Sequence, residues 1–283
     1  MTENSTYQKL APIGLTLGSG ISVYVGAAIA VGLFAVLPPT HVAWLRVFCA
    51  GLIMTIIYRP RFGDFVGDKA KLAMAYGASM VLMNVCFYNA IETIPLGTAV
   101  AVEFLGPITV GAFASRKIQQ WVALLLAAAG VVVLSGAQWT NNAQGILFAL
   151  GAAAGWGIYI AVGLKMSRVL LNRKETQQML GVGLLYGALF AAPLVVFQLP
   201  ITVNMDPTMM IGLVVGLAVL STVIPSSLDI VAMRLSSASL YAVLTALMPL
   251  VATICGAVML GQLPTTIELI GIALVVVAVI VRR

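Results

Sequence analysis

The chain has 283 residues, of which 61% are hydrophobic and 8% are charged, and its formal net charge is +6. Soluble domains carry roughly 25% charged residues, so this composition excludes a soluble protein. The basic residues are spread along the whole chain, which argues against a nucleic-acid partner and favours contact with membrane lipid. One His and three Cys without ligand spacing predict no metal site.

Ten apolar segments follow one another along the chain, and most approach the ~20 residues that a transmembrane helix requires. Backbone groups in lipid must be satisfied internally, so each segment is predicted to be a helix. The gaps are too short for a soluble catalytic domain, so we expect the function to lie within or across the bilayer. The segments lie at about 11–36, 42–58, 72–91, 95–114, 120–137, 144–164, 178–198, 208–232, 238–260 and 265–281.

The distribution of Lys and Arg predicts the orientation of these segments. All but one of the 15 basic residues lie near the two ends of the chain or in the gaps after segments two, four, six and eight. The exception, Arg46, lies inside segment two. Because cytoplasmic loops retain Lys and Arg, we predict ten transmembrane helices with both termini in the cytoplasm.

The two halves of the chain, 1–140 and 141–283, each contain five predicted helices. Residues 90–107 align with 232–249, and each stretch begins with Ala and ends with Pro. An odd number of helices per half places the second half in the opposite orientation. Inverted five-helix repeats of this kind are typical of secondary transporters, whose substrate site lies near the midplane between the repeats. We therefore expect alternating access to a central cavity.

Three stretches carry a resemblance to a known family: PLGTAVAVEFLGPITVGAFASRK at 95–117, GAAAGWGIYIAVG at 151–163, and a third at 221–265 that begins STVIPSSLDIVAMR. In these stretches the chain resembles the drug/metabolite transporter superfamily, in its branch with paired EamA domains. Within that branch it is similar to the bacterial threonine and homoserine exporters. One departure is Gln262 after Gly261, where the family often has Glu.

The resemblance implies a multi-pass protein of the bacterial inner (plasma) membrane that exports small metabolites, with amino acids such as threonine and homoserine as the expected substrates. It implies a secondary transporter without a cofactor, driven by an ion or solute gradient, with protons as a candidate coupling ion. Consistently, the sequence contains no phosphate-binding loop motif. One chain completes the family's unit, so a monomer suffices, and a homodimer is the alternative.

Two charged residues inside the predicted membrane are the leading candidates for substrate binding or coupling. A buried charge in the bilayer is costly and usually faces a cavity or a partner. Glu103, near the midplane of segment four, is expected to bind a substrate ammonium or a proton; the alternative is a structural hydrogen bond or a pair with Arg46. Arg46 is expected to clamp a substrate carboxylate. Its alternatives are snorkelling to the headgroups and neutralising Glu103.

Four further polar or amphipathic residues lie deep in predicted helices: Asn84, Tyr88, Trp156 and Tyr159. Asn84 and Tyr88 are four residues apart and share a helix face. We expect these residues to line the cavity, with interhelical hydrogen bonding as the alternative.

Structural or gating roles are expected for three residues, Pro107, Pro249 and Asp229. The prolines free a backbone carbonyl and can kink their helices. Asp229 is expected to pair with Arg234 or a basic loop, with substrate contact as the alternative. Glu92 and Glu268 are expected to be solvated at outer helix ends.

Two rival functions remain for these ten segments. A broad-specificity exporter of drugs or other metabolites would use the same architecture. An integral-membrane enzyme or a lipid scramblase belongs to another class, and the short gaps offer no catalytic cluster for an enzyme. We therefore expect a transporter that is not an enzyme.

Overall fold

The computed structural model describes residues 3–115, 118–169, 173–197, 205–225, 228 and 248–281. Within these ranges every regular element is a helix. The α-helices are α1 (Glu3–Leu33), α2 (Pro39–Tyr58), α3 (Gly67–Ile91), α4 (Leu96–Glu103), α5 (Leu105–Ser115), α6 (Ile118–Val169), α7 (Arg173–Val196), α8 (Pro207–Ala218), α9 (Met248–Leu260) and α10 (Thr266–Val281). A 3₁₀ turn at Phe62–Phe65 precedes α3, and a π-helical turn at Val219–Val223 follows α8.

Five stretches of helix are long and apolar enough to cross a membrane: Ala11–Leu33, Pro39–Tyr58, Gly67–Ile91, Asn142–Gly163 and Lys174–Val196. Five shorter apolar helices, Leu96–Val110, Trp121–Val133, Pro207–Val223, Met248–Leu260 and Thr266–Ala278, lie among them in the described chain. Each of the ten predicted segments overlaps one of these helices. The protein is therefore an all-helical membrane protein, and the number of crossings remains a prediction.

Local sequence explains two interruptions in the helices. Pro107 has no N–H to donate to the carbonyl of Glu103, and the helix of segment four breaks at Phe104 into α4 and α5. Segments five and six form one long element, α6, which kinks at Asn142, where φ is −142° and ψ is 44°. The break at Phe104 places Glu103 at the end of α4.

Small residues allow the helices of the two halves to approach closely. A Cβ atom added to Gly77 of α3 would lie 1.7 Å from the carbonyl oxygen of Gly183 in α7. A Cβ atom added to Gly155 of α6 would lie 2.8 Å from the backbone nitrogen of Met83 in α3. Backbone approach through small residues is how membrane helices pack without a hydrophobic driving force. Large side chains such as Leu125 and Val258 face outward, 70% and 79% exposed, as expected of a surface that meets lipid.

We expect Gly77→Ala to lower the free energy of unfolding by about 1–3 kcal/mol, because the new methyl group would force α3 and α7 apart. Gly212→Ala is the matched control, since no described atom lies within 4 Å of a Cβ atom at that position. Thermal unfolding in detergent measures both. Equal stability of the two variants would contradict the close α3–α7 contact.

Candidate substrate site

Two neighbouring cavities that share lining residues lie between the halves of the described chain. The first, about 200 Å³, is lined on its polar side by Thr16, Ser19, Arg46, Asn84 and Glu103. The second, about 240 Å³, shares Arg46 and Trp156 with the first and extends along α3 and α7. One water needs only about 10–15 Å³ by this kind of measure, so each cavity can hold a small organic molecule.

Glu103 is 7% exposed and lines the first cavity from the end of α4. Its Oε1 has no hydrogen-bond partner in the described part of the chain. The ion pairs found among the described residues are Lys69–Glu175 and Lys71–Asp68, so Glu103 makes no direct salt bridge with Arg46. The two side chains still interact electrostatically, so that alternative for Glu103 stays a prediction. A buried carboxylate oxygen without a partner costs free energy that a cationic ligand would recover.

Arg46 is 6% exposed and is held by hydrogen bonds in the interior rather than reaching the headgroups. Its Nη1 donates to Asn84 Oδ1 at 2.6 Å and to Tyr88 Oη at 3.1 Å, both in α3. Its Nη2 donates to the Ser221 carbonyl at 2.7 Å, and its Nε donates to Thr222 Oγ1 at 3.3 Å. Snorkelling is therefore wrong, whereas neutralisation of Glu103 stays a prediction: the two side chains interact electrostatically but make no salt bridge with each other. All four acceptors are neutral, so none of these hydrogen bonds balances the charge of Arg46.

Aromatic rings form much of the wall around Glu103. Tyr24, Phe87, Phe104 and Trp156 line the first cavity. The rings of Phe104 and Trp156 meet edge to face, with centroids 4.9 Å apart. Such rings exclude water and favour a cation over their faces. The site can therefore hold an ammonium group beside Glu103.

Hydrogen bonds join the two halves on either side of the cavities. Beyond the first cavity, Gln262 Oε1 accepts from the backbone N–H of Leu96 at 3.0 Å, and Thr98 Oγ1 donates to Glu268 Oε1 at 3.4 Å. Along the second cavity, the hydroxyls of Tyr76 and Tyr159 are 2.8 Å apart. Each set joins one half of the chain to the other.

The sequence is similar to known membrane transporters along almost its whole length. Residues 143–282 match the EamA-like transporter family. The threonine/homoserine exporter RhtA of Escherichia coli strain K12 is 31% identical to this chain over 270 residues, which cover 94% of this chain and 89% of that protein. RhtA of Salmonella typhimurium strain LT2 is 30% identical over the same shares. The chain belongs to the EamA-like transporter family.

A solved crystal structure shares the fold of this EamA-like transporter. The two superpose with a TM-score of 0.63 over 95% of this chain and 96% of that chain, at 20% sequence identity. The family and the apolar helices together make the protein a multi-pass membrane transporter with a small-molecule substrate.

The structure brings most of the predicted site residues of this EamA-like transporter together. Glu103, Arg46, Asn84 and Trp156 line the first cavity. Tyr159 lines the second, and Tyr88 is fully buried and contacts the cavity through Arg46. Asn84 also donates from Nδ2 to the Met80 carbonyl at 2.7 Å. Asn84 therefore lines the first cavity and also bonds to Arg46 of α2, whereas Tyr88 lines neither cavity and only makes the interhelical bond to Arg46.

The predicted structural residues have different outcomes. Pro107 lies beside the break after Glu103, as its chemistry predicts. Pro249 is buried at the start of α9, where its carbonyl accepts from Thr253 Oγ1 at 2.8 Å. Asp229 lies outside the described residues. Glu92 is exposed as expected. The prediction that Glu268 is solvated is wrong: its side chain is 3% exposed, because α4 packs over it through Thr98. It also accepts from the N–H and hydroxyl of Thr265 in a helix-capping box.

Four hydroxyl residues at the cavities were not predicted from the sequence: Thr16, Ser19, Ser221 and Thr222. Thr16 Oγ1 and Ser221 Oγ are buried without a hydrogen-bond partner in the described chain. Hydroxyl residues in apolar helices commonly bond to their own backbone, so their presence alone gives no signal. Ser221 could have been found, because it lies four residues before Pro225, where a helical carbonyl loses its donor.

Proposed function

We propose that this EamA-like transporter exports small amino acids of the threonine and homoserine type across the bacterial inner (plasma) membrane by alternating access. Similarity to RhtA, a threonine/homoserine exporter, supports this substrate class, because the two chains align over 94% of this one. Two independent features of the site support the same substrate class: the charged residues in the first cavity and the size of the cavities.

The charges in the first cavity carry the proposal. Glu103 and Arg46 are an acidic and a basic residue that are both buried there, and they make no direct salt bridge with each other. Each charge inside a membrane costs about 2.5–3.5 kcal/mol on insertion scales, so an acidic and a basic residue that line one cavity without a direct salt bridge favour a ligand that binds both. An amino acid does so with its ammonium toward Glu103 and its carboxylate toward Arg46.

The size of the cavities favours a small substrate. Pockets for drug-sized ligands occupy about 300–1,000 Å³, whereas the two cavities here hold about 200 and 240 Å³ each. The hydroxyls of Thr16 and Ser221 supply neutral hydrogen-bonding groups within these cavities. A substrate with a short polar side chain would satisfy them.

The proposed transport cycle uses ten crossings in two inverted repeats, 1–140 and 141–283, with both termini in the cytoplasm. Residues of both halves line both cavities, which supports a site between the repeats. In this cycle the Leu96–Gln262 and Thr98–Glu268 bonds close the outer side, and the Tyr76–Tyr159 bond closes the inner side. One chain encloses the site, so a monomer suffices for the proposed cycle. The proposed activity is neither enzymatic nor dependent on a cofactor.

Counterflow in proteoliposomes tests the proposed function. Vesicles loaded with unlabelled threonine should accumulate labelled threonine, and homoserine should compete. Vesicles loaded with threoninamide, which lacks the carboxylate, should accumulate much less. Equal uptake by loaded vesicles and protein-free vesicles would contradict amino-acid export.

An exporter of organic cations is the second candidate function, and the aromatic wall around Glu103 favours it. Such a substrate would need Glu103 and the rings but not Arg46. Uptake of a quaternary ammonium dye in the same vesicles measures this activity. Dye transport without threonine counterflow would favour this candidate over the first.

A further inference from the structure

The backbone of segment eight is broken at the point where it meets the first half. The π-helical turn at Val219–Val223 lies directly before Pro225. Pro225 has no N–H, so the carbonyl of Ser221, four residues earlier, loses its α-helical donor. The N–H of Ile224 bonds to the Val219 carbonyl instead of the Leu220 carbonyl. Two consecutive carbonyls, those of Leu220 and Ser221, are therefore left without their usual helical donors.

Both freed carbonyls accept hydrogen bonds from the first half. Ser22 Oγ of α1 donates to the Leu220 carbonyl at 2.6 Å. Arg46 Nη2 of α2 donates to the Ser221 carbonyl at 2.7 Å. A π-helical turn inside an α-helix is frequently found at functional sites. Here it fastens segment eight to α1 and α2.

The two sides of the Arg46 guanidinium have different partners. Nη1 donates only to α3, through Asn84 and Tyr88. Nε and Nη2 donate to segment eight, through Thr222 Oγ1 and the Ser221 carbonyl. Nε and Nη2 form the edge on which a carboxylate accepts two parallel hydrogen bonds. Segment eight thus occupies the edge that a substrate carboxylate would use.

We propose that the substrate carboxylate displaces the Ser221 carbonyl and the Thr222 hydroxyl from Arg46, so that binding unfastens segment eight from α2. This inference rests on the proposed amino-acid substrate. Hydrogen bonds to a carboxylate are roughly twice as strong as those to neutral acceptors, so the exchange is favourable. Asn84 and Tyr88 keep Arg46 in place throughout, because they bind its other side.

Pro225 and Thr222 are then positioning residues that act through Arg46. Pro225 keeps the Ser221 carbonyl available, and Thr222 supplies the second acceptor. The fastened state is the one in which Arg46 of α2 bonds to the Ser221 carbonyl and the Thr222 hydroxyl. It forms when the cavity is empty, and it must re-form when the empty transporter returns to the side where it binds substrate. Weakening it should therefore tighten substrate binding and slow the return of the empty carrier.

Threonine binding to the purified protein tests the displacement. Thr222→Val removes the hydroxyl with little change in shape, and Pro225→Ala restores an N–H that competes for the Ser221 carbonyl. Each variant should bind threonine about two- to tenfold more tightly, as expected for removing one competing hydrogen bond. Binding of threoninamide should not change. Pro193→Ala, at an exposed proline inside α7, is the matched control and should behave as wild type.

Transport separates this role from a structural one. In Thr222→Val and Pro225→Ala, threonine exchange should persist, because exchange does not need the empty carrier to return, while net export slows. A merely structural defect would reduce both rates in parallel. Weaker threonine binding in both variants, or parallel loss of exchange and net export, would overturn the displacement.

The separation of α2 and α8, measured without substrate, tests whether the bonds from Arg46 to Ser221 and Thr222 hold segment eight against α2. Spin labels at Leu52 of α2 and Ile211 of α8, both on exposed positions, report the separation of these helices in a background lacking Cys49, Cys86 and Cys255. Thr222→Val should lengthen or broaden the distance distribution, and threonine should do the same in wild type. Unchanged distributions would overturn the inference. A variant-induced shift without any threonine exchange in wild type would refute the proposed substrate and support the fastening.

Discussion

Glu103→Gln is expected to abolish threonine export while leaving insertion into the membrane intact. An amide cannot neutralise an ammonium group, and a hydrogen bond to a charged group is worth about 1.5–3 kcal/mol. Threonine affinity should therefore fall by about 10- to 150-fold. Stability should be unchanged or higher, because Glu103 Oε1 is buried without a described partner and removing a buried charge relieves its desolvation cost.

Glu92→Gln is the matched control for Glu103→Gln, because Glu92 is exposed at the end of α3 and outside both cavities. Counterflow, net export and thermal unfolding should be measured for both variants. Wild-type counterflow by Glu103→Gln would show that the carboxylate does not bind the substrate. A large loss of stability in that variant would instead indicate that Glu103 has a structural partner.

The same variant separates the two functional roles expected of Glu103. If the carboxylate binds the substrate ammonium, Glu103→Gln loses both exchange and export driven by a pH gradient. If it carries only a coupling proton, exchange survives and the response to the pH gradient is lost. We expect loss of both, because the aromatic wall and the unpartnered oxygen suit an ammonium group.

The positions of the segments and the charged site residues were predictable, because a membrane requires long apolar helices and tolerates few charges within them. A charge within an apolar segment is expensive, so Glu103 and Arg46 stand out from the sequence alone. The helix break after Glu103 was likewise implied by Pro107, which lacks an N–H. These features follow from local chemistry and need no tertiary information.

The partners of those residues were not predictable, because they depend on how distant helices pack. Arg46 bonds to Ser221 and Thr222, about 175 positions away. The spacing of Ser221 from Pro225 marks a freed carbonyl, but nothing local shows that Arg46 is its donor. Glu268 lies at the start of α10 as expected, but only the packed structure shows that α4 covers it through Thr98. The sequence thus identifies the charged residues that need partners inside the membrane, whereas tertiary packing determines which residues those partners are.

Arg46→Lys should have the second largest effect on transport, although it keeps the positive charge. Arg46 makes four hydrogen bonds to α3 and segment eight, using a planar group with five N–H donors. A Lys ammonium has three donors and cannot bind a carboxylate through two parallel bonds. We expect threonine affinity to fall by about 10- to 100-fold, the loss of roughly two charged hydrogen bonds after partial compensation.

Selectivity between threonine and threoninamide distinguishes carboxylate binding from a loss of structure. Wild type should prefer threonine strongly, whereas Arg46→Lys should bind the two ligands with more similar affinity. Arg59→Lys is the matched control, because Arg59 is exposed at the C-terminal end of α2 and outside both cavities. If Arg46→Lys keeps the full preference for threonine at reduced stability, Arg46 holds the helices together without touching the substrate. A reduced preference for threonine at near-normal stability would show that the substrate carboxylate binds Arg46. Glu103, which lies on the opposite side of the amino acid in this arrangement, would then bind the ammonium group and orient the substrate between the two halves.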